Sequence, residues 1–202
     1  MPPAHPTAAD LALLALAWAA WCGLHSLLLS DFTRLRLTQT LQLTAAQYRL
    51  AYSFLSLITL YPVVTYSKML GALSPLLAPP PWLWPQLLVW AAALGLLLWS
   101  SRDFSRSGFD LMGLKAAFGR RRDTHQLITT GAYAHMRHPM HLASLAVVWA
   151  RPLHGPADLL ISLLLTAYIA LGTWHEETRL RRQFGREHRE YAARVPLMPF
   201  LW

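Results

Sequence analysis

Charge is what this sequence has least of. Charged residues make up 14% of its 202 positions, against about a quarter in a soluble globular domain, while hydrophobic residues make up 54%. A chain so short of charge cannot cover a water-facing surface. The charge it does carry is crowded into short segments with long uncharged stretches between them, the distribution of lipid-facing spans joined by polar loops. Cysteine is nearly absent too. Cys22 is the only one, which excludes an internal disulfide framework and any cysteine-cluster metal site. Acidic residues number ten against 18 Lys and Arg, for a net charge of +8. Basic chains often bind nucleic acid, but these arginines lie beside apolar runs, where they orient spans and meet anionic lipid headgroups. Membrane lipids are the expected partners, and no nucleic acid is. The first nine residues carry no positive stretch and do not read as a signal peptide.

What is present is a series of apolar runs. Leu11 to Leu29 is uncharged for 19 residues, close to the ~20 that a spanning helix needs. A second run goes from Leu50 to Tyr66 around Pro62, and a third from Pro85 to Ser101 after a proline-dense loop. Leu142 to Leu153 and Leu159 to Trp174 follow, separated by His154-Gly155-Pro156, a tight helical turn. The fourth run has only 12 residues, so it must extend through His138 to His141 or be sheltered by protein. The pattern predicts an all-α, polytopic transmembrane helical bundle of about five spans, one domain over residues 1–202, with a cytosolic loop and a C-terminal helix. Of the 18 cations, 16 fall on one side of these five spans, and Lys68 and Arg151 on the other. The positive-inside rule then puts the N-terminus outside and the C-terminus in the cytosol.

Polar chemistry is concentrated in two stretches that flank the last hairpin, residues 125–141 and 175–196. Pro139 suits the first turn of a helix, where its missing N–H would be unbonded anyway. His138 before it is then extended, and the free amides of that first turn can receive an anion. Gly131 permits a sharp turn before Tyr133. Glu176 and Glu177 stand where the last span emerges, so at least one can face the same pocket and meet a cationic ligand. His25, inside the first span, is a functional candidate by position alone, although a hydrogen-bonded bundle histidine is its plain reading.

Gly131, Tyr133, Arg137, His138 and Pro139, then Glu176, Glu177, Phe184, Gly185, Tyr191, Val195 and Pro196, resemble the isoprenylcysteine carboxyl methyltransferase and phospholipid methyltransferase superfamily. The likeness covers residues 108–202. It implies S-adenosylmethionine as cofactor, contacted by His125, Gln126, Leu127, Ile128, Tyr133, His138, Pro139, Met140, His141, Glu176 and Glu177. Three positions depart from the pattern. His141 stands where a tyrosine is usual, Gly172 where the isoprenylcysteine enzymes carry an arginine, and His188 in place of a tail tyrosine.

His25-Ser26-Leu27-Leu28, Tyr48-Arg49, Tyr52-Ser53 and residues 109–114 look like the NnrU-like branch, which includes bacterial methanethiol S-methyltransferases. The resemblance implies an enzyme of the bacterial inner membrane that methylates a small thiol such as methanethiol to dimethyl sulfide. His25, Tyr48 and Tyr52 are its candidate substrate residues. Because a thiol reacts as thiolate, a positive field or a base is needed. Arg137 is the candidate for the field and His141 for the base. The alternatives are a prenylcysteine carboxylate or phospholipid amine as acceptor, or a non-enzymatic membrane protein that keeps the fold. His135, His138 and His141 also form a His-x-x-His-x-x-His array with the types of a transition-metal site. No metal is expected, because Pro139 should keep His135 and His138 off the helix face of His141 and no second histidine cluster follows.

Overall fold

The computed structural model describes residues 6–73, 77–106, 126–153, 155–199 and 201. His125, the segment 109–114 and the arginines at 120–122 lie outside the described residues. The chain is an all-α polytopic membrane protein. Among the described residues there are six α-helices and a 3₁₀ turn, and the only β pairing is an isolated bridge between Met198 and Leu201.

Helix α1 (Ala8–Leu29) starts on a capping box in which Thr7 and Asp10 bond each other's backbone amides, satisfying two donors that a helix start leaves open. Helix α2 (Asp31–Thr40) follows at once, with Ser30 as its cap. Apolar runs carry no signal for this stretch. Local capping made it helical: the Ser30 hydroxyl accepts from Thr33, and Asp31 pairs with Arg34 one turn on. Helix α3 (Ala45–Met69) opens on a Thr44–Gln47 capping box and runs straight through Pro62.

Helix α4 (Leu83–Arg106) comes next, then a 3₁₀ turn at Gly131–Ala134, helix α5 (Pro139–Ala150) and helix α6 (Pro156–Ala192). Four of these, α1, α3, α4 and α6, are long and apolar enough to cross a membrane. Helix α5 is not. Its 12 residues rise about 18 Å, against a hydrocarbon core of about 30 Å. As expected for so short a run, it begins upstream of Leu142, at Pro139. Large apolar side chains such as Leu16, Ile58, Leu88 and Trp174 are 66% or more exposed, which in a spanning helix means turned to lipid.

Two compact units can be distinguished. The first holds α1 to α3 and the start of α6 as far as Leu164. Its centre is a stripe of Leu14, Trp18 and Cys22, one helical turn apart along α1 and buried. The indole of Trp18 donates to Ser67 Oγ at 3.1 Å, and that of Trp21 to the Ser56 carbonyl at 3.2 Å. Asp158, buried in the first turn of α6, accepts from the Leu73 amide at 3.0 Å.

The second unit holds α4, the 3₁₀ turn, α5, the rest of α6 and the tail. The apolar part of α6 ends at Trp174, and the helix then continues as a charged segment. At Gly185 it breaks: φ is 51° and ψ is −111°, a region closed to residues with a Cβ. The break redirects the last turns, which carry His188 and Tyr191 inward to full burial.

This backbone makes a prediction about glycine. Gly185→Ala should destabilise the protein by about 1–3 kcal/mol, the usual cost of a strained residue. Gly172→Ala, in regular helix with open space around it, should be neutral or stabilising by up to ~1 kcal/mol. Thermal unfolding in detergent measures both, and a Gly185→Ala protein that melts with the native one would refute the constraint.

Candidate functional site

The second unit gathers the polar residues of both polar stretches around the start of α5. Arg137 is buried. Its Nε donates to Glu177 Oε1 at 3.1 Å, and its Nη1 donates to the carbonyls of Ala192, at 3.1 Å, and Val195. Its backbone amide donates to the Pro196 carbonyl at 2.9 Å, and that of His138 to the Leu197 carbonyl at 3.1 Å. The tail is therefore stitched to the Arg137-His138 dipeptide by both side chain and backbone. Pro139, which has no amide to offer, begins α5 immediately afterwards.

The His138 ring lies between two carboxylates. Its Nε2 is 2.8 Å from Glu177 Oε1, and its Nδ1 is 3.4 Å from Glu176 Oε2. Since a carboxylate only accepts, Nε2 carries a proton. Burial by itself would lower the His138 pKa, but the bonds to Glu176 and Glu177 and their charges outweigh it and raise it above the ordinary value. Burial likewise pushes Glu177 upward, yet the His138 bond and the Arg137 charge hold its carboxyl at about 2. Glu176 is lowered too, by His138 first, against the same opposing burial.

His141 completes the group. Its ring stacks on that of His138 with centroids 5.2 Å apart and an 8° interplanar angle. Pro139 does not keep the two histidines apart, contrary to the sequence expectation. His138 caps α5 and His141 is three residues on, so their side chains meet over one turn. His135 does stay apart, exposed, with its ring 5.8 Å from that of Trp99.

The His141 Nδ1 is 2.9 Å from Thr173 Oγ1, whose own proton goes to the Ile169 carbonyl at 2.8 Å. With its single proton committed, the hydroxyl can only accept from His141. Nδ1 therefore bears the hydrogen. The lone pair is left on Nε2, which faces Glu176 Oε2 at 3.9 Å.

Around this core, Tyr191 donates to the Tyr133 carbonyl at 2.6 Å, and burial pushes its phenol up to about 12. Gly131, at φ 61°, makes the turn that presents that carbonyl. Gln126 is exposed, and Leu127 and Ile128 are half-buried in the strand-free segment before it. Met140 is half-buried in the first turn of α5, which has no side-chain cap.

His188 is wholly buried, and its Nε2 lies 3.6 Å from Glu177 Oε2. That oxygen has no hydrogen-bond partner, and neither does either ring nitrogen of His188. Sequence reasoning missed Thr173, the role of His188 and the tail carbonyls. Helical spacing carries a signal for Thr173, one turn before Glu176, whereas the break at Gly185 removes any regular spacing between Glu177 and His188. Nothing local signals the carbonyls.

In the first unit, His25 and Tyr52 come together, with ring centroids 5.0 Å apart, and His25 Nδ1 is 3.2 Å from Ser56 Oγ. Tyr48 is not in this cluster's bonding. Its hydroxyl donates to the Leu28 carbonyl at 2.6 Å. A cavity of about 370 Å³ lined by Trp82, Pro85, Gln86, Val89 and Arg151 contains none of the candidate residues.

Comparison with known proteins adds a family match. The model of the family described as NnrU protein matches residues 13–202. Methanethiol S-methyltransferase 2 of Bradyrhizobium diazoefficiens is 34% identical over 116 residues, 55% of this chain and 45% of that protein. Methanethiol S-methyltransferase of Pseudomonas deceptionensis is 32% identical over 136 residues, 58% of this chain and 52% of the relative. Protein-S-isoprenylcysteine O-methyltransferase B of Arabidopsis thaliana is 34% identical over 91 residues, 41% and 44% of the two chains. The chain spans about half the length of the curated relatives it matches. No solved structure matches it.

The depressed Glu177 carboxyl sets a pH dependence. A carboxyl whose folded pKa lies below its unfolded value stabilises the fold above the unfolded value, and loses that effect as pH falls through the folded one. For Glu177 the window runs from 4.5 down to about 2. Melting temperature in detergent should therefore drop across that window in native protein. In Glu177→Gln it should start lower and drop less. Parallel curves for the two proteins would show that Glu177 is not the group responsible.

Proposed function

This chain belongs to the NnrU protein family, and on that premise we propose that it transfers a methyl group from S-adenosylmethionine to a small thiol such as methanethiol, giving dimethyl sulfide. The observation that carries this reading is the placement of His141. Its Nδ1 is 2.9 Å from Thr173 Oγ1, whose hydroxyl also reaches the Ile169 carbonyl, so that the ring Nε2 is turned toward a half-exposed glutamate. A basic nitrogen is one of the two means by which a thiol can be turned into the reactive thiolate. The relatives named methanethiol S-methyltransferase supply the acceptor class.

When bound, S-adenosylmethionine supplies a methyl group on a positively charged sulfur. The residues fit such a cation. Glu176 is ionised, 37% exposed, and no closer than 3.4 Å to the histidines, so its charge is not used up within the protein. The uncapped first-turn amides of Met140 and His141 can receive a carboxylate, aided by the helix dipole. Gln126, Leu127, Ile128 and Tyr133, which precede Arg137 in the same segment, are the further residues we assign to the donor's contacts. His138 aligns Glu176 by holding it against Glu177. Arg137 acts through Glu177 and the tail carbonyls, which makes it a positioning residue and not a source of field at the acceptor.

An in-line displacement needs donor and acceptor aligned and water excluded. His141 Nε2 takes the thiol proton, and the thiolate then reacts. His25 and Tyr52 remain candidates for the acceptor's path through the membrane, and Tyr48 for shaping it. Gly172, with no side chain, offers nothing to an acceptor carboxylate, which favours a thiol over a prenylcysteine.

Two variants test the reading. Glu176→Gln should weaken S-adenosylmethionine binding about tenfold or more by calorimetry, in keeping with ~1.5–3 kcal/mol for a charged hydrogen bond. His141→Phe should lower the rate of methanethiol methylation and flatten its pH profile, whose native rise lies below the ordinary histidine value because burial lowers the His141 pKa. Native protein that methylates a prenylcysteine or a phospholipid but no small thiol would overturn the acceptor. A native rate and profile in His141→Phe would remove the base.

We read the N-terminus as outside and the C-terminus as cytosolic in a bacterial inner membrane; the arginine distribution supports this orientation, which counts the short α5 and the apolar part of α6 as a hairpin of two crossings. A reporter active only in the cytosol should give signal at the C-terminus. Signal there from a periplasm-active reporter instead would reverse the orientation.

A further inference from the structure

His138, His141 and Glu176 each offer one ligand atom, and these atoms lie within 4.8 Å of one another. The geometry points to a regulatory transition-metal site of the zinc class, made by His138 Nδ1, His141 Nε2 and Glu176 Oε2, whose occupation excludes the methyl donor from the same glutamate. The competition rests on the function proposed above; the metal site itself does not.

The remaining ring nitrogens argue for it. A metal-binding histidine presents one nitrogen to the ion and holds the other on a carboxylate or other acceptor, which fixes tautomer and orientation. Here both histidines are arranged that way. His138 Nε2 is on Glu177 Oε1 at 2.8 Å, and His141 Nδ1 is on Thr173 Oγ1 at 2.9 Å. The nitrogens that face Glu176 lie 3.4 Å and 3.9 Å from its Oε2, and an ion would take the place of the proton that His138 Nδ1 shares with that carboxylate.

Ligand bonds of about 2.0–2.1 Å in a tetrahedron put ligand atoms about 3.3 Å apart. The His138 to Glu176 distance is already near that value. The His141 to Glu176 pair must close by about half an ångström, within reach of a half-exposed glutamate, and the two histidine nitrogens, within 4.8 Å of each other, by up to about 1.5 Å through rotation of the His141 ring. Two imidazoles and a carboxylate suit zinc and its neighbours over magnesium or calcium, which prefer all-oxygen shells. Three protein ligands leave a fourth position open. The ion would neutralise the carboxylate that the sulfonium cation needs, so metal and methyl donor cannot share it.

The test uses the full chain in detergent, stripped with a chelator and titrated with Co²⁺, whose visible absorption reports tetrahedral coordination, and with Zn²⁺ by calorimetry. One ion per chain is expected. His141→Ala and Glu176→Gln should each weaken binding at least tenfold, while His135→Ala, outside the trio, should bind as the native protein does. Excess S-adenosylmethionine should bleach the cobalt spectrum, and Zn²⁺ that fills the site should stop methyl transfer until a chelator is added.

No saturable uptake, or undiminished uptake in His141→Ala and Glu176→Gln, overturns the site even where methanethiol is methylated. Uptake with this variant pattern in a protein that methylates nothing upholds the site and removes the methyltransferase reading. Persistence of the cobalt spectrum under saturating S-adenosylmethionine overturns the competition.

Discussion

The buried pair of Arg137 and Glu177 is the interaction on which the rest of the second unit depends. Both side chains are 6% exposed, and taking two charges out of water is costly unless hydrogen bonds satisfy what remains. Arg137 meets that condition with tail carbonyls that no helix partner would otherwise satisfy. The pair therefore ties three pieces distant in sequence: the residue two before α5, the charged part of α6, and the tail beyond it. Removing either partner leaves the other charge buried and unpaired, a loss that commonly reaches about 3–5 kcal/mol. The break at Gly185 serves the same end, because it turns the last stretch of α6 inward before the tail carbonyls are needed.

Adjacent glutamates at the end of a span have different fates because helix geometry separates them. Successive residues point about 100° apart around a helix, so Glu177 turns into the protein and Glu176 toward the half-exposed side. His138 reaches both, one through each ring nitrogen. A single imidazole thus fixes the orientation of the structural carboxylate and of the one available to a ligand. This explains how two chemically identical residues serve stability and binding from neighbouring positions.

Much of this was legible in the sequence, and the part that was not has physical reasons. The apolar runs marked the long helices because lipid permits almost no charge in a span, and Arg137-His138-Pro139 with Glu176-Glu177 marked the site. Helix α2 escaped because its signal is a serine cap and an i, i+3 pair, too local for a hydropathy reading. The separation assumed between His138 and His141 treated the proline as a wall. A cap residue lies on the helix surface, however, one turn below the third residue inside. The tail carbonyls carry no side-chain signature at all, so only folding reveals that the Val195-Pro196 ending supplies acceptors to Arg137 and His138.

The stacked histidines divide the acid and base roles between them. Two positive rings with centroids 5.2 Å apart would repel by about 3 kcal/mol at an effective dielectric of 20, so protonating both is disfavoured. Glu176 and Glu177 decide which takes the proton, since their bonds and charges raise His138 while burial lowers His141. His141 is accordingly left neutral. Its tautomer is set from the other side, by a threonine whose own hydrogen is spent on the Ile169 carbonyl of α6. The orientation of one lone pair thus follows from a helical backbone bond on one flank and a buried carboxylate on the other. Neighbouring groups of like chemistry take opposite roles when their surroundings push their proton affinities apart, and here the surroundings are the walls of the fold itself.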